Sequence, residues 1–361
     1  MKTKNIEHQA FFELLKAGLR KKACVNINVN LAETTDWHYL YRLAQEQSVQ
    51  GIVLSGLEEL STNNANLNIP KELLLQWIGE VQIIEQSNKE MNRFVADLIA
   101  RMRDADIYAI LVKGQGVAQC YESPFWRSSG DVDLLLSDNN YDKAKQFLLP
   151  LSDTHKSELQ YTRHLGLTIE SWYVELHGSM RTGLSAKVDK VVDEVQRDVF
   201  YGGNVRSWNN GGTPVFLPSS DNDVIFIFTH ILQHFYKETL GLKQLCDWCR
   251  LLWTYRESLN RGLLESRIKK AGIIREWKAF ASLAVDYLGM PVEAMPLYDD
   301  SSRWSKKALK LIDFILNGYT GSAVRDTFGI AKIFPWKTFC YLPSIFLNVN
   351  SLKIRERIFQ R

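Results

Sequence analysis

The most constraining feature of this sequence is a pair of aspartates inside an apolar run, Asp131-Val132-Asp133-Leu134-Leu135-Leu136. Side chains of a β-strand point the same way at every second residue, so a strand here places Asp131 and Asp133 on one face. Two like charges side by side in an apolar setting are unfavourable unless a cation neutralises them. Because Mg²⁺ prefers one or two carboxylates together with substrate phosphates, the pattern predicts a divalent-metal site that acts on phosphates. The alternative is an exposed edge strand on which aspartate is merely tolerated.

A short glycine-bearing turn comes before this strand, in Leu111-Val112-Lys113-Gly114-Gln115-Gly116. Backbone N–H groups of such a turn can bind phosphate oxygens, and Lys113 can add a point charge. A lysine at a strand end that points to solvent is the alternative for Lys113. Together, the turn and the carboxylate pair are typical of a site for metal-dependent phosphoryl or nucleotidyl transfer.

A third acidic residue, Glu175, lies in the strand-like run Tyr173-Val174-Glu175-Leu176-His177. Near the aspartate pair, Glu175 would complete a set of metal ligands or take the proton from an attacking hydroxyl. The alternative is a charged residue on the open face of an antiparallel strand.

Arg127 lies four residues before Asp131. Its guanidinium could bind a triphosphate in a bidentate way. Alternatively, it forms a salt bridge with the acidic pair, and its charge would then stand in for a metal.

Five further residues are possible cleft residues. His164 and His177 flank the later predicted strands, where each either positions an acceptor, transfers a proton or has a structural role. His230 and His234 are four residues apart, so they share one helix face, and with Asp247 they could form a zinc site. No glutamate follows His230, so the zinc-protease pattern is absent. Lining a nucleotide cleft or making a polar contact between helices is the favoured interpretation for these three residues.

Composition excludes several classes of protein. The chain has 361 residues, is 45% hydrophobic and carries a formal net charge of +3, so it gives no strong signal for nucleic-acid binding. Five cysteines at scattered positions do not indicate a disulfide framework. Residues 1–8 lack an apolar stretch and no run is long enough to span a bilayer, so we expect a cytoplasmic protein. An aromatic and basic stretch that starts at Ile333 could contact a membrane surface, but packing on the core or on a partner is favoured.

Hydrophobic periodicity predicts helices on both sides of a segment in which strands and helices alternate. A long helix is expected from Pro70 to about Asp104, and a hairpin is expected with its turn at Asn209-Asn210-Gly211-Gly212. The chain after Asp223 indicates helices. Strands are predicted at 107–112, 131–136, 159–164 and 172–177.

These motifs resemble a known family. The Gly114-Gln115 turn, the apolar-flanked pair Asp131 and Asp133, and the apolar-flanked Glu175 on a later strand are similar to the polymerase-beta-like nucleotidyltransferase superfamily. More closely, over about Tyr108 to Leu252, the chain resembles the bacterial "uncharacterised nucleotidyltransferase" family. This resemblance rests on Leu-Val-Lys-Gly-x-Gly at 111–116, the arginine before the acidic pair, Val-Glu-Leu-His at 174–177, and the downstream motifs His230-x-x-x-His234 and Leu245-Cys246-Asp247. The superfamily usually has Gly-Ser or Gly-Gly at the turn, and here Gly-Gln lacks the serine hydroxyl.

The resemblance implies an α+β fold. Its polymerase-beta-like nucleotidyltransferase core, a mixed sheet with helices, would span residues 105–218. An N-terminal helical region (1–104) and a C-terminal helical region (219–361) would flank this core and form the walls of a cleft.

The resemblance also implies cofactors and a reaction. Asp131 and Asp133 would bind two Mg²⁺ (or Mn²⁺) ions, Glu175 would bind the catalytic ion, and Gly114 and Gln115 would approach the β- and γ-phosphates. A nucleoside monophosphate would move from a nucleoside triphosphate to an acceptor hydroxyl of a small molecule, a sugar or a protein. The alternative is a non-catalytic nucleotide-sensing or protein-interaction module with the same fold.

Overall fold

The computed structural model describes residues 2–20, 36–62, 67–160 and 162–345, which form a mixed α+β protein. Helices dominate both ends of the chain, as the hydrophobic periodicity predicted. The helices are α1 (Lys2–Leu19), α2 (Trp37–Glu46), α3 (Gln50–Thr62), α4 (Lys71–Asp104), α5 (Gly114–Ala118), α6 (Asp138–Leu148), α7 (Ala186–Tyr201), α8 (Ser220–Lys237), α9 (Leu242–Thr254), α10 (Arg261–Ala271), α11 (Ile274–Leu288), α12 (Ser302–Asn317) and α13 (Ala323–Ala331). Residues 335–345 are also helical.

Five strands form one mixed sheet in the order β1-β2-β5-β4-β3, and two more form a separate hairpin. β2 and β5 are parallel, whereas the other neighbours are antiparallel. The strands are β1 (Ala109–Val112), β2 (Asp131–Leu136), β3 (Thr154–His155), β4 (His164–Ile169), β5 (Trp172–His177), β6 (Val205–Asn210) and β7 (Thr213–Pro218).

The sheet separates two hydrophobic clusters. One face packs against α4, and its apolar side chains alternate with the predicted site residues along the strands. This face carries Leu111, Val132, Leu134, Val174 and Leu176. The opposite face joins a larger cluster built from the helices at both ends of the chain. The predicted site residues therefore lie on the face that looks toward the C-terminal helices.

Most predicted elements are present. The long helix and the hairpin are confirmed, and Asp36 caps α2 through a hydrogen bond from the Tyr39 backbone N–H. The strand predicted at 159–164 is wrong. Leu159 makes only an isolated bridge to His164, and Arg163 at φ 46° turns the chain, so the strand begins at His164 instead. The three-part division of the chain stays a prediction.

The C-terminal stretch packs on the core, as favoured from its sequence. Ile333, Phe334 and Tyr341 are buried, whereas Trp336 and Phe339 are exposed. The basic residues of this stretch beyond residue 345, which are Lys353, Arg355, Arg357 and Arg361, lie outside the described residues. Every described helix is either too short or too polar to cross a lipid bilayer.

Candidate active site

The register of two parallel strands brings the predicted acidic residues together. Asp133 on β2 is the partner of Glu175 on β5, and Asp131 lies two residues earlier on the same face of β2. In-register residues of neighbouring strands carry their side chains on the same side of the sheet. One carboxylate oxygen from each of Asp131, Asp133 and Glu175 lies within 4.8 Å of the others. This donor set fits a hard divalent cation, because it offers the oxygen ligands that Mg²⁺ and Mn²⁺ accept.

Lys113 supplies the nearest positive charge. Its Nζ lies 3.0 Å from Asp133 Oδ1, and the side chain is 14% exposed. The backbone of Lys113 has φ 56° and ψ −142°, a conformation that L-residues adopt at a cost of about 1–3 kcal/mol. Gly114 follows with φ 31°. The chain therefore leaves β1 through a strained turn, and this turn places the lysine over the acidic face.

The three carboxyl groups differ electrostatically. Burial raises the pKa of Asp133, but Lys113 and the hydrogen bond from His177 lower it by more than burial raises it. The pKa of Asp133 therefore lies well below its usual value. Burial and the neighbouring Asp133 charge raise the pKa of Asp131. The pKa of Glu175 is lowered, because nearby His164 and His177 outweigh burial. The ammonium group of Lys113 therefore compensates the charge of Asp133, whereas the negative charge of Asp131 is compensated less well.

Two histidines complete this face of the sheet. His164 on β4 is the antiparallel partner of His177 on β5, and their rings stack with centroids 4.8 Å apart. His177 Nε2 donates a hydrogen bond of 2.7 Å to Asp133 Oδ1. Its pKa is lowered, chiefly by burial, which favours the neutral ring. Both histidines thus lie within the acidic cluster and not only at the strand ends.

A pocket of about 780 Å³ opens above these residues. The sheet residues form its floor, and the segment 179–183 with helices α8 and α9 forms its walls. No described residue of 2–20, 36–62 or 67–104 lines this pocket, so the expected N-terminal wall is absent from the described chain. Predicted site residues at the pocket are Lys113, Gly114, Arg127, Asp131, Asp133, His164, Glu175, His177, His230, His234 and Asp247.

His230 and His234 lie on one face of α8, as their spacing predicted. Their Nε2 atoms are 3.0 Å apart, and His234 Nδ1 lies 3.0 Å from Glu238 Oε2. Burial lowers the pKa of both rings. Asp247 binds other residues instead, so the structure does not support a zinc site formed by these two histidines with Asp247.

Arg127 pairs with Asp247 and not with the acidic pair considered from the sequence. Its Nε and Nη2 bind the two oxygens of Asp247 at 2.9 and 2.6 Å, and both side chains are 6% exposed. Nη1 donates to Ser129 Oγ, and Tyr121 donates to Asp247 Oδ1. A salt bridge from Arg127 to the acidic pair was therefore a wrong expectation, because Asp247 on α9 neutralises this guanidinium.

Among the predicted site residues, all of which lie in the described part of the chain, Gln115 alone does not line the pocket. Its side chain is buried and donates from Nε2 to Asn88 Oδ1 at 3.0 Å. Asn88 in turn donates to the carbonyl oxygens of Phe125 and Arg127. A phosphate contact by Gln115 would therefore have to use its backbone N–H.

The sequence did not single out two lysines at this pocket. Lys237 at the end of α8 donates to the Thr182 carbonyl oxygen at 2.8 Å. Lys243 in the first turn of α9 makes no hydrogen bond or ion pair with a described residue, and burial lowers its pKa. Neither lysine belongs to a motif, and only their place on helices that face the sheet could have indicated them.

Comparison with known proteins gives one family match. The model of a family described as uncharacterised nucleotidyltransferase matches residues 33–289, well over half of the chain. No curated protein matches the chain. A crystal structure of an antigenic nucleotidyltransferase-like protein from Paracoccidioides brasiliensis is similar at 13% identity, over 52% of this chain and 88% of that chain. Its TM-score of 0.33 carries no argument about the fold, so the polymerase-beta-like core stays a prediction.

Proposed function

We propose that this chain, which belongs to the uncharacterised nucleotidyltransferase family, moves a nucleoside monophosphate from a nucleoside triphosphate to an acceptor hydroxyl. One observation carries the proposal. Asp131, Asp133 and Glu175 converge on one face of the sheet, within 4.8 Å of one another, at the floor of a pocket. Three carboxylates there are costly to keep unless they bind cations.

The proposed reaction assigns a role to each residue. The acceptor oxygen bonds to the α-phosphorus, the bond from that phosphorus to the bridging oxygen breaks, and pyrophosphate leaves. The hydroxyl proton passes to Glu175. Asp131, Asp133 and Glu175 would hold two Mg²⁺ or Mn²⁺ ions, which when bound neutralise charge on the attacking and leaving oxygens.

The triphosphate is proposed to lie along the turn after β1. Lys113 would move from Asp133 to a phosphate once a divalent cation takes over that carboxylate. The backbone N–H groups of Gly114 and Gln115 would bind phosphate oxygens, and Arg127 would stabilise the loop that leads into Asp131.

The shape of the pocket supports a compact acceptor. Its volume of about 780 Å³ lies in the range of about 300–1,000 Å³ that is usual for small-molecule sites. Its lining carries both charges, because it contains Lys237 and Lys243 as well as Glu238 and the sheet carboxylates. A small molecule, a sugar or a single protein side chain fits this lining better than a long polyanion.

Label transfer tests the proposal. The protein is incubated with α-labelled ATP, GTP, CTP or UTP, with Mg²⁺ or Mn²⁺, and with cell extract as a source of acceptors. The Asp131→Asn/Asp133→Asn variant is the blank, and Asp97→Asn, at a 64% exposed site on α4, is the matched control. We expect label on an acceptor with wild type and Asp97→Asn only.

A second candidate is a nucleotide-sensing module without turnover. The ion pair between Lys113 and Asp133 favours it, because the chain already neutralises one ligand internally. Nucleotide binding in equilibrium dialysis, with no label above the blank for any nucleotide or metal, would support this candidate and overturn the transfer proposal.

A further inference from the structure

We propose that the site contains a second, nitrogen-bearing metal position formed by His164, Glu175 and His177, which selects a first-row transition ion over Mg²⁺. The inference rests on the proposed function only in that Glu175 belongs to both positions. It concerns which ion this chain takes and not which group it transfers.

The geometry brings three donor atoms to one place. His164 Nε2 lies 3.2 Å from Glu175 Oε2, and His177 Nε2 lies 3.5 Å from the same oxygen. One ligand atom from each of the three residues lies within 4.8 Å of the others. The sheet fixes this arrangement, because His164 pairs directly with His177 and Glu175 lies two residues before His177 on the same face.

The hydrogen bonds of the two histidine rings do not satisfy every ring nitrogen of this cluster. His177 Nε2 donates to Asp133, and among the described residues His164 Nε2 is a buried atom without a hydrogen-bond partner, although Glu175 is near. A buried ring nitrogen whose one near neighbour, Glu175, gives no well-aligned hydrogen bond is costly, and a ligated cation would satisfy it.

Ligand chemistry sets the selectivity. Neutral imidazole suits Zn²⁺, Cu²⁺, Fe²⁺ and Ni²⁺, whereas Mg²⁺ is held by oxygen ligands and water. Mn²⁺ prefers oxygen ligands but also accepts imidazole, so it can occupy both positions and serves as a probe. Two imidazoles with one carboxylate are a common donor set for open transition-metal sites. The position formed by Asp131, Asp133 and Glu175 has oxygen ligands alone, so the two positions differ in the ion that they favour.

Loading this position requires one rearrangement. His177 would have to release its hydrogen bond to Asp133 and carry its ring proton on Nδ1, so that Nε2 is free to ligate. Asp133 keeps Lys113 as a partner while this happens.

Direct detection of nitrogen ligation tests the inference without any nucleotide. The whole protein is loaded with Mn²⁺, and electron spin echo envelope modulation reports coupling of the ion to ¹⁴N. Binding of Mn²⁺ and Mg²⁺ is measured in parallel by calorimetry. The test variant is His164→Gln, whose side chain is 26% exposed and tolerates change better than the buried His177. The matched control is His234→Gln, which removes an imidazole from the same pocket but outside the cluster.

We expect ¹⁴N coupling in the wild type and in His234→Gln, and a loss of one coupled nitrogen in His164→Gln. Mn²⁺ should bind more tightly than Mg²⁺, and His164→Gln should weaken Mn²⁺ by about tenfold or more, since even outer-sphere partners of metal ligands are worth about 10–100-fold. Two bound Mn²⁺ ions per chain without ¹⁴N coupling, or coupling that His164→Gln leaves unchanged, would overturn the inference and reduce the cluster to a hydrogen-bonded one.

The proposed function can fail separately. Nitrogen-coupled Mn²⁺ in a protein that transfers no label would leave this inference standing and overturn the transfer proposal. Label transfer with Mg²⁺ by a protein whose Mn²⁺ shows no nitrogen coupling would do the reverse.

Discussion

Two polar clusters border the same pocket but differ in charge balance. The sheet cluster contains Lys113, Asp131, Asp133, His164, Glu175 and His177. The arginine cluster contains Tyr121, Arg127, Ser129 and Asp247. The sheet cluster sets three carboxylates against one lysine, and burial favours the neutral ring of His177. The arginine cluster sets one guanidinium against one carboxylate, and each oxygen of Asp247 has a donor.

The difference separates a scaffold from a binding site. A buried ion pair whose hydrogen bonds are all made has no free group to bind a ligand. Removing one of its two residues leaves the charge of the other uncompensated. A cluster with surplus negative charge, in which the buried His164 Nε2 makes no well-aligned hydrogen bond, gains from binding cations. The arginine cluster therefore positions the loop before Asp131, and the sheet cluster is where we propose that the chemistry takes place.

The largest expected effect is on stability, at the arginine cluster. Arg127→Met should lower the free energy of unfolding by about 3–5 kcal/mol, because it leaves the buried Asp247 carboxylate without its cation. Urea denaturation followed by circular dichroism measures this loss.

The double variant Arg127→Met/Asp247→Leu is the control, and it should recover most of the loss, since both buried charges are gone. An Arg127→Met protein with unchanged stability but weakened nucleotide binding would contradict the structural role of the arginine cluster. It would return Arg127 to the nucleotide-binding role that its position before Asp131 indicated.

The next effect concerns competition within the sheet cluster. Lys113→Met should raise the affinity of the nucleotide-free protein for Mn²⁺ roughly tenfold or more, since a charge repulsion of a few kcal/mol at short range is removed. The same change should lower label transfer, because Lys113 is the proposed phosphate contact. Calorimetric titration with Mn²⁺ and the label assay measure the two effects.

Lys237→Met provides the matched control, because Lys237 lies in the same pocket but binds the Thr182 carbonyl oxygen. It should change Mn²⁺ affinity by less than about twofold. A Lys113→Met protein that binds Mn²⁺ more weakly would show that the lysine supports the metal position instead of competing for it.

The parts of this site that follow period-two alternation could be predicted from the sequence. Asp131 and Asp133 lie two apart in an apolar run, and Glu175 lies in a second such run, so a common face follows from strand geometry. The turn at Gly114 also follows from its position between an apolar run and a helix. These are local features, and the structure places all of them at one pocket.

The parts set by long-range packing could not be predicted. Arg127 meets Asp247 across 120 residues of sequence, and no local pattern states which helix packs against that loop. The stacking of His164 on His177 depends on where β4 begins, and the predicted strand at 159–164 ended where the real one starts. Gln115 turned inward because Asn88, on the distant helix α4, accepts its amide.

The smallest expected effect distinguishes the two aspartates of the sheet cluster. Asp131→Asn should stabilise the metal-free protein at neutral pH by about 1 kcal/mol, the usual scale of a single substitution, because it removes a partly buried and under-compensated charge. Asp133→Asn should destabilise it, because Lys113 then loses its partner. Urea denaturation in the presence of a chelator measures both.

The pH dependence of stability tests whether the charge of Asp131 destabilises the folded protein. Burial and the Asp133 charge raise the pKa of Asp131 in the folded protein, so the folded state holds this proton more tightly than the unfolded chain. Stability of the wild type therefore falls as pH rises from the ordinary aspartate value of about 3.9 through the raised folded value. The gain from Asp131→Asn should be absent below that window, where the carboxyl is protonated in both states, and complete above it. If Asp131→Asn stabilises the protein equally at all pH values, the stabilisation comes from packing and not from charge. Asp131 would then not contribute to the excess negative charge that distinguishes the sheet cluster from the arginine cluster.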